Sequence, residues 1–125
     1  MLGRTALGLT IALVGTLLAA CSGTTSPPPS VPLDAIPISA DNLAFSTDRL
    51  AVRADEPFTI AFDNLESQVH NVSIYEDDSF AQPVFKEEAF SGPRSVVYEV
   101  PALAAGTYAF RCDVHPLMKG AITAG

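Results

Sequence analysis

The sequence predicts an all-β domain, a Greek-key β-sandwich of about seven or eight antiparallel strands. Three observations lead there. From about Ile36 onward, apolar side chains recur at every second position in short runs, the period of a strand with one face buried. Turn-forming residues separate those runs at short intervals, and no stretch of helical period reaches three turns.

Leu43 and Phe45 begin the series, followed by Leu50 and Val52. Phe58, Ile60 and Phe62 alternate after Pro57, and Asp63-Asn64 ends that run. Val72 and Ile74 precede the acidic turn Glu76-Asp77-Asp78. Val96, Tyr98 and Val100 follow Gly92-Pro93, Tyr108 and Phe110 follow Gly106, and Ile122 comes after Gly120. Ala81 to Ala89 is the stretch least defined by alternation and has room for a short helical turn. His70 shares the parity of Val72 and Ile74, and Cys112 that of Tyr108 and Phe110, so both are expected to point inward at the ends of their strands.

The residues before this domain read as an address. Arg4 supplies a positive start and Ala6 to Leu18 an apolar run too short to span a bilayer comfortably, which predicts a signal peptide over residues 1–20. Leu18-Ala19-Ala20-Cys21 resembles the lipobox of bacterial lipoproteins, which implies cleavage before Cys21 and a lipid on its thiol. An ordinary cleaved signal, or an uncleaved anchor with Cys21 incidental, is the alternative. The remainder of residues 21–35 is rich in Pro, Ser and Thr. It cannot pack a core and is expected to extend as a linker at about 3 Å per residue. Residues 36–125 are then the folded domain, exported and held at the periplasmic or extracellular side of a bacterial membrane.

Fourteen acidic against seven basic residues in 125 give a formal charge of −7, which argues against nucleic acid as a partner and against adhesion to anionic lipid by charge. Glu76-Asp77-Asp78 and Glu87-Glu88 are expected to solvate loops, or else to form a docking patch for a basic partner. The charge is compatible with a monomer.

The chemistry concentrates in Cys112-Asp113-Val114-His115-Pro116-Leu117-Met118. With two Cys, two His and two Met in the whole chain, setting aside Met1 and Cys21 leaves only Cys112, His115, Met118 and His70. Thiolate, two imidazoles and a thioether suit copper: soft sulfur favours the cuprous ion, imidazole accepts both oxidation states, and a weak axial Met completes a His₂Cys arrangement. Zinc would prefer a second thiolate or a carboxylate to the thioether. A nucleophile–base pair of Cys112 and His115 lacks an orienting partner, a c-type haem needs a second cysteine, and a binuclear copper loop does too. An enzyme is therefore not expected.

Val69-His70-Asn71-Val72 followed by Cys112-x2-His115-x2-Met118 resembles the cupredoxins, the small type 1 blue copper proteins, and is closest in loop length to the amicyanin group. Plastocyanins share the His-Asn-Val element and the Cys-x2-His start but have a longer gap to the methionine. Leu103-x2-Gly106-x-Tyr108-x-Phe110-x-Cys112 also resembles the family's approach to its ligand loop. The resemblance covers roughly residues 36–125. It implies one copper per chain at one end of the sandwich, held by His70, Cys112, His115 and Met118, and single-electron transfer between redox proteins. It further implies that Asn71 ties the ligand loop to the His70 strand. Pro116 would stiffen the loop, and partners would dock near His115, Pro116 and Leu117. The competing function is a lipid-anchored copper carrier or store that hands on the ion itself.

Overall fold

The computed structural model describes Gly23 and residues 30–125. The expected signal segment, Cys21 and most of the linker lie outside the described residues. The alternating runs become strands: β1 (Ile36–Asp41), β2 (Ala44–Phe45), β3 (Arg49–Val52), β4 (Phe58–Asn64), β5 (Val69–His70), β6 (Ser73–Tyr75), β7 (Pro83–Phe85), β8 (Phe90–Ser91), β9 (Arg94–Val100), β10 (Gly106–Arg111) and β11 (Lys119–Ala124). One sheet runs β2-β1-β4-β9, the second β3-β11-β10-β6-β7, and β5 with β8 forms a separate two-stranded ladder.

Eleven strands replace the expected seven or eight because β2, β5 and β8 are ladders of two residues each, too short to leave an alternation. Not every pair is antiparallel. β1 pairs β4 in parallel, with Ile36 opposite Ile60, and β3 pairs β11 in parallel, with Leu50 opposite Ile122. The expected helical turn in residues 81–89 is absent: β7 hydrogen-bonds to β6 as an outer strand, and Val84 and Phe85 pack against the core. A strand here covers an otherwise open sheet edge.

The core lies between the sheets. Ile38, Ile60, Phe62, Tyr98 and Val100 face Leu50, Ile74, Phe110 and Ile122, and the Phe62 ring packs on those of Phe45, Phe90 and Tyr98. Gly120 is required by this packing. A Cβ there would lie 2.4 Å from the Asp48 carbonyl oxygen and 2.4 Å from Cζ of Phe110.

Alternation misreads two places. Leu43 is not a strand residue: it occupies the β1–β2 turn with φ 58° and an exposed side chain. From His70 to Tyr75 every residue is buried, so Asn71 and Ser73, which simple alternation with His70, Val72 and Ile74 would turn to solvent, are enclosed as well.

Candidate metal centre

Strand direction brings the rare residues together. β4 ends at Asn64, whose buried amide donates to the Gln68 and Phe90 carbonyl oxygens at 2.8 and 2.9 Å. This fixes the loop that leads into His70. Gly92 lets the same loop close, since a Cβ there would meet the Asn64 and Glu66 carbonyl oxygens at 2.4 and 2.6 Å. β10 runs antiparallel to β6 and delivers Cys112 just past Arg111, itself opposite Ser73. Beyond Cys112 the chain folds back on itself: the Met118 N–H donates to the His115 carbonyl and the Cys112 N–H to the Met118 carbonyl, both at 2.9 Å.

The result is a compact donor cluster. Cys112 Sγ lies 3.7 Å from His70 Nδ1 and 3.8 Å from His115 Nδ1, and the three donor atoms are all within 4.8 Å of one another. Donors about 2.0 and 2.3 Å from one ion and about 120° apart are separated by roughly 3.7 Å, so the spacing fits a single first-row metal. His70 and Cys112 have no exposed surface and Met118 is 3% exposed, whereas His115 is partly open to solvent.

Two carboxylates not singled out from the sequence complete the site. Glu66 Oε1 accepts from His70 Nε2 at 2.7 Å and from the Leu43 N–H at 3.0 Å. The first bond fixes the imidazole tautomer, leaving the Nδ1 lone pair free to face Cys112. The Leu43 N–H is the main influence holding the Glu66 carboxyl below its ordinary range. Partial burial opposes it, and the His70 bond adds to it. Glu66 stands four residues before His70 on an irregular loop, and no period marked it.

The second is Asp113. Its N–H donates to Asn71 Oδ1 at 2.8 Å. Its Oδ2 accepts from Ser73 Oγ at 2.7 Å and Asn71 Nδ2 at 3.0 Å, and its Oδ1 accepts from the Tyr75 hydroxyl. Lys86 Nζ and Arg111 Nε lie 3.3 and 3.6 Å from its oxygens. Burial raises this carboxyl's pKa, but the bonds from Tyr75, Ser73, Asn71 and Lys86 outweigh it and hold the group far below the usual carboxylate range. Asn71 also donates to the Glu87 carbonyl at 2.8 Å and to Ser73 Oγ at 3.2 Å, so it joins the loop after Cys112, the segment after β7 and the start of β6. This network explains why Asn71 and Ser73 are buried against their parity.

Around the cluster the surface is apolar. Of the exposed large hydrophobic residues among those described, Val31 and Leu33 belong to the linker, while Leu43, Leu65, Val69, Val114 and Leu117 all surround this end. Each adjoins His70, His115, Met118 or Glu66 in the chain, or hydrogen-bonds to Glu66. Pro116 is exposed between His115 and Leu117. The sequence pointed only to the Pro116–Leu117 side, because the other patch residues come from separate turns.

Two facing sheets with a buried Cys and two His clustered at one end define a metal-binding β-sandwich. The cupredoxin-like domain family matches residues 10–124, and the chain belongs to it. It is 28% identical over 95 residues to amicyanin from Paracoccus versutus, covering 74% of this chain and 66% of that protein. It is 30% identical over 91 residues to amicyanin from Paracoccus denitrificans, covering 70% and 63%. The chain thus spans just under two thirds of the length of these curated relatives. Among solved structures, auracyanin A, a "blue" copper protein from Chloroflexus aurantiacus, superposes with a TM-score of 0.65 at 23% identity, covering 73% of this chain and 98% of the other. At that identity the superposition speaks for the fold alone.

Proposed function

We propose that this protein is an extracytoplasmic type 1 copper protein that carries single electrons between redox partners and performs no chemical transformation of its own. One observation carries the reading: the buried Cys112 sulfur lies 3.7 and 3.8 Å from two imidazole nitrogens, in a loop closed by the buried Met118. That donor set, with a thioether in place of a second thiolate or a carboxylate, matches electron-transfer copper better than zinc. His70, Cys112 and His115 would hold the ion, and the buried Met118 would add a weak thioether donor. Copper bound there supplies one-electron chemistry by cycling between cuprous and cupric states.

The protein's own part is to keep the donors still. His70 is fixed through Glu66 and Cys112 through its backbone bond to Met118, which limits rearrangement when the charge changes. His115, the partly exposed donor, is the route by which an electron leaves. Leu43, Leu65, Val69, Val114, Pro116 and Leu117 supply the apolar surface on which a partner settles. A carrier that hands on the ion itself is the weaker reading, because two of its donors are fully enclosed.

The proposal extends to the N-terminal segment: a signal peptide over residues 1–20, a lipid on Cys21, and a spacer to about residue 35. Cys21→Ser should then release the protein from membranes of a bacterial host. The central test is the electronic spectrum of the copper-reconstituted protein, expected to show an intense blue sulfur-to-copper charge-transfer band that Cys112→Ser abolishes. Met118→Gln should keep copper but shift the potential. A colourless reconstituted protein would overturn the reading.

A further inference from the structure

The residue after Cys112 carries a carboxylate, and the fold spends many of its polar groups on it. A carboxylate at 15% side-chain exposure is costly unless several donors meet it. Here Ser73, Tyr75 and Asn71 supply three, from one strand and the residues leading into it. Two cations flank it: Lys86, with 58% of its side chain exposed, and Arg111, with 24%. Arg111 Nε is buried and has no hydrogen-bond partner among the described residues, so this carboxylate is its nearest compensation. A neutral hydroxyl at position 113 would satisfy the Asn71 amide but would remove the carboxylate that pairs with both cations among the described residues.

A fixed charge next to a metal site acts on the two oxidation states unequally, because the more highly charged ion gains more from a nearby anion. We propose that Asp113 is a positioning residue with two roles: its hydrogen bonds hold the Cys112 end of the loop against β6, and its negative charge favours the cupric state and lowers the reduction potential. The second role rests on the copper reading; the first does not. Burial limits screening by salt, so the charge effect persists at high ionic strength.

The experiment compares Asp113→Asn, Ser73→Ala and Lys86→Met with the parent protein, reconstituted with copper, by redox titration at low and high salt. Asp113→Asn should retain the blue band and shift the potential upward, and raising the salt should not erase the shift. Lys86→Met, at a largely exposed side chain that tolerates substitution, should move it downward by less. Ser73→Ala removes a hydrogen bond without changing charge and should leave the potential nearly in place. A potential unmoved by Asp113→Asn, or moved equally by Ser73→Ala, would overturn the charge role. In the copper-free protein, the rate at which a thiol reagent modifies Cys112 reads the anchoring role alone. It should rise several-fold in Asp113→Asn, and an unchanged rate would overturn that role. A colourless parent protein would instead overturn the copper reading and the charge role with it, leaving the thiol rates to decide the anchor.

Discussion

Between the sheets, Ile38, Ile60, Phe62, Ile74, Phe110 and Ile122 are enclosed by other apolar side chains, and what each contributes is volume removed from water. At the end bearing Cys112 the enclosed residues include Asn64, His70, Asn71 and Ser73, which, tyrosines aside, are the buried polar side chains among the described residues. Each of those is tied to a partner of fixed direction. Volume can be redistributed among neighbours, whereas a buried donor cannot be moved without leaving something unpaired. The middle therefore supplies most of the stability, and the end spends some of it to place a sulfur and two imidazoles within a few ångströms.

The contrast can be tested from both sides. Phe62→Ala should cost about 3–5 kcal/mol in urea unfolding, the range for a large buried side chain lost to a cavity. It should leave the spectrum of the metal end unchanged in whatever protein remains folded, and a displaced spectrum would break the division between the two regions. Asn71→Ala should cost less, about 1–3 kcal/mol, because it leaves the Asp113 N–H without its acceptor. Unlike the core change, it should broaden or shift the copper spectrum. Tyr98 sharpens the point from inside the core. Its hydroxyl is buried with no partner among the described residues, and burial pushes its pKa up. Tyr98→Phe should be neutral or stabilising by up to about 1 kcal/mol, the opposite sign to deleting a polar group at the metal end. The smallest effect on stability belongs to Leu117→Ala, within about 0.5 kcal/mol for so exposed a side chain. Stopped-flow electron transfer to a redox partner should nonetheless slow.

How much of this could be read from the chain divides along the same line. Phe58, Ile60 and Phe62, and Val96, Tyr98 and Val100, sit in β4 and β9 as their spacing predicts, because a half-buried strand repeats at two whatever its neighbours are. The Cys112–His115–Met118 loop was legible because three scarce residue types fall within seven positions. Asp113 and Glu66 were not. Carboxylates are abundant in this chain, and only the three-dimensional approach of Ser73, Tyr75, Leu43 and His70 sets these two apart. In residues 70–75 the alternation turned His70, Val72 and Ile74 inward, as found, but gave no sign that Ser73 would be buried as well. Parity assumes that one face of a strand meets water, and here both faces are covered, one by the core and the other by the Asp113 network. The parallel pairing of β1 with β4 leaves no local trace at all, since it joins residues more than twenty positions apart.

That parallel pairing has a bearing on how the molecule is held. β4 runs toward Asn64 and the donor cluster, so β1, beside it and pointing the same way, starts at Ile36 on the opposite pole. β11 likewise departs from the cluster and finishes at that pole, where the Gly125 N–H bonds to the Val52 carbonyl. Both ends of the domain leave from its back. The chain ahead of Ile36 therefore joins the domain at the pole away from the donor cluster, and His115 with its apolar collar lies at the other end.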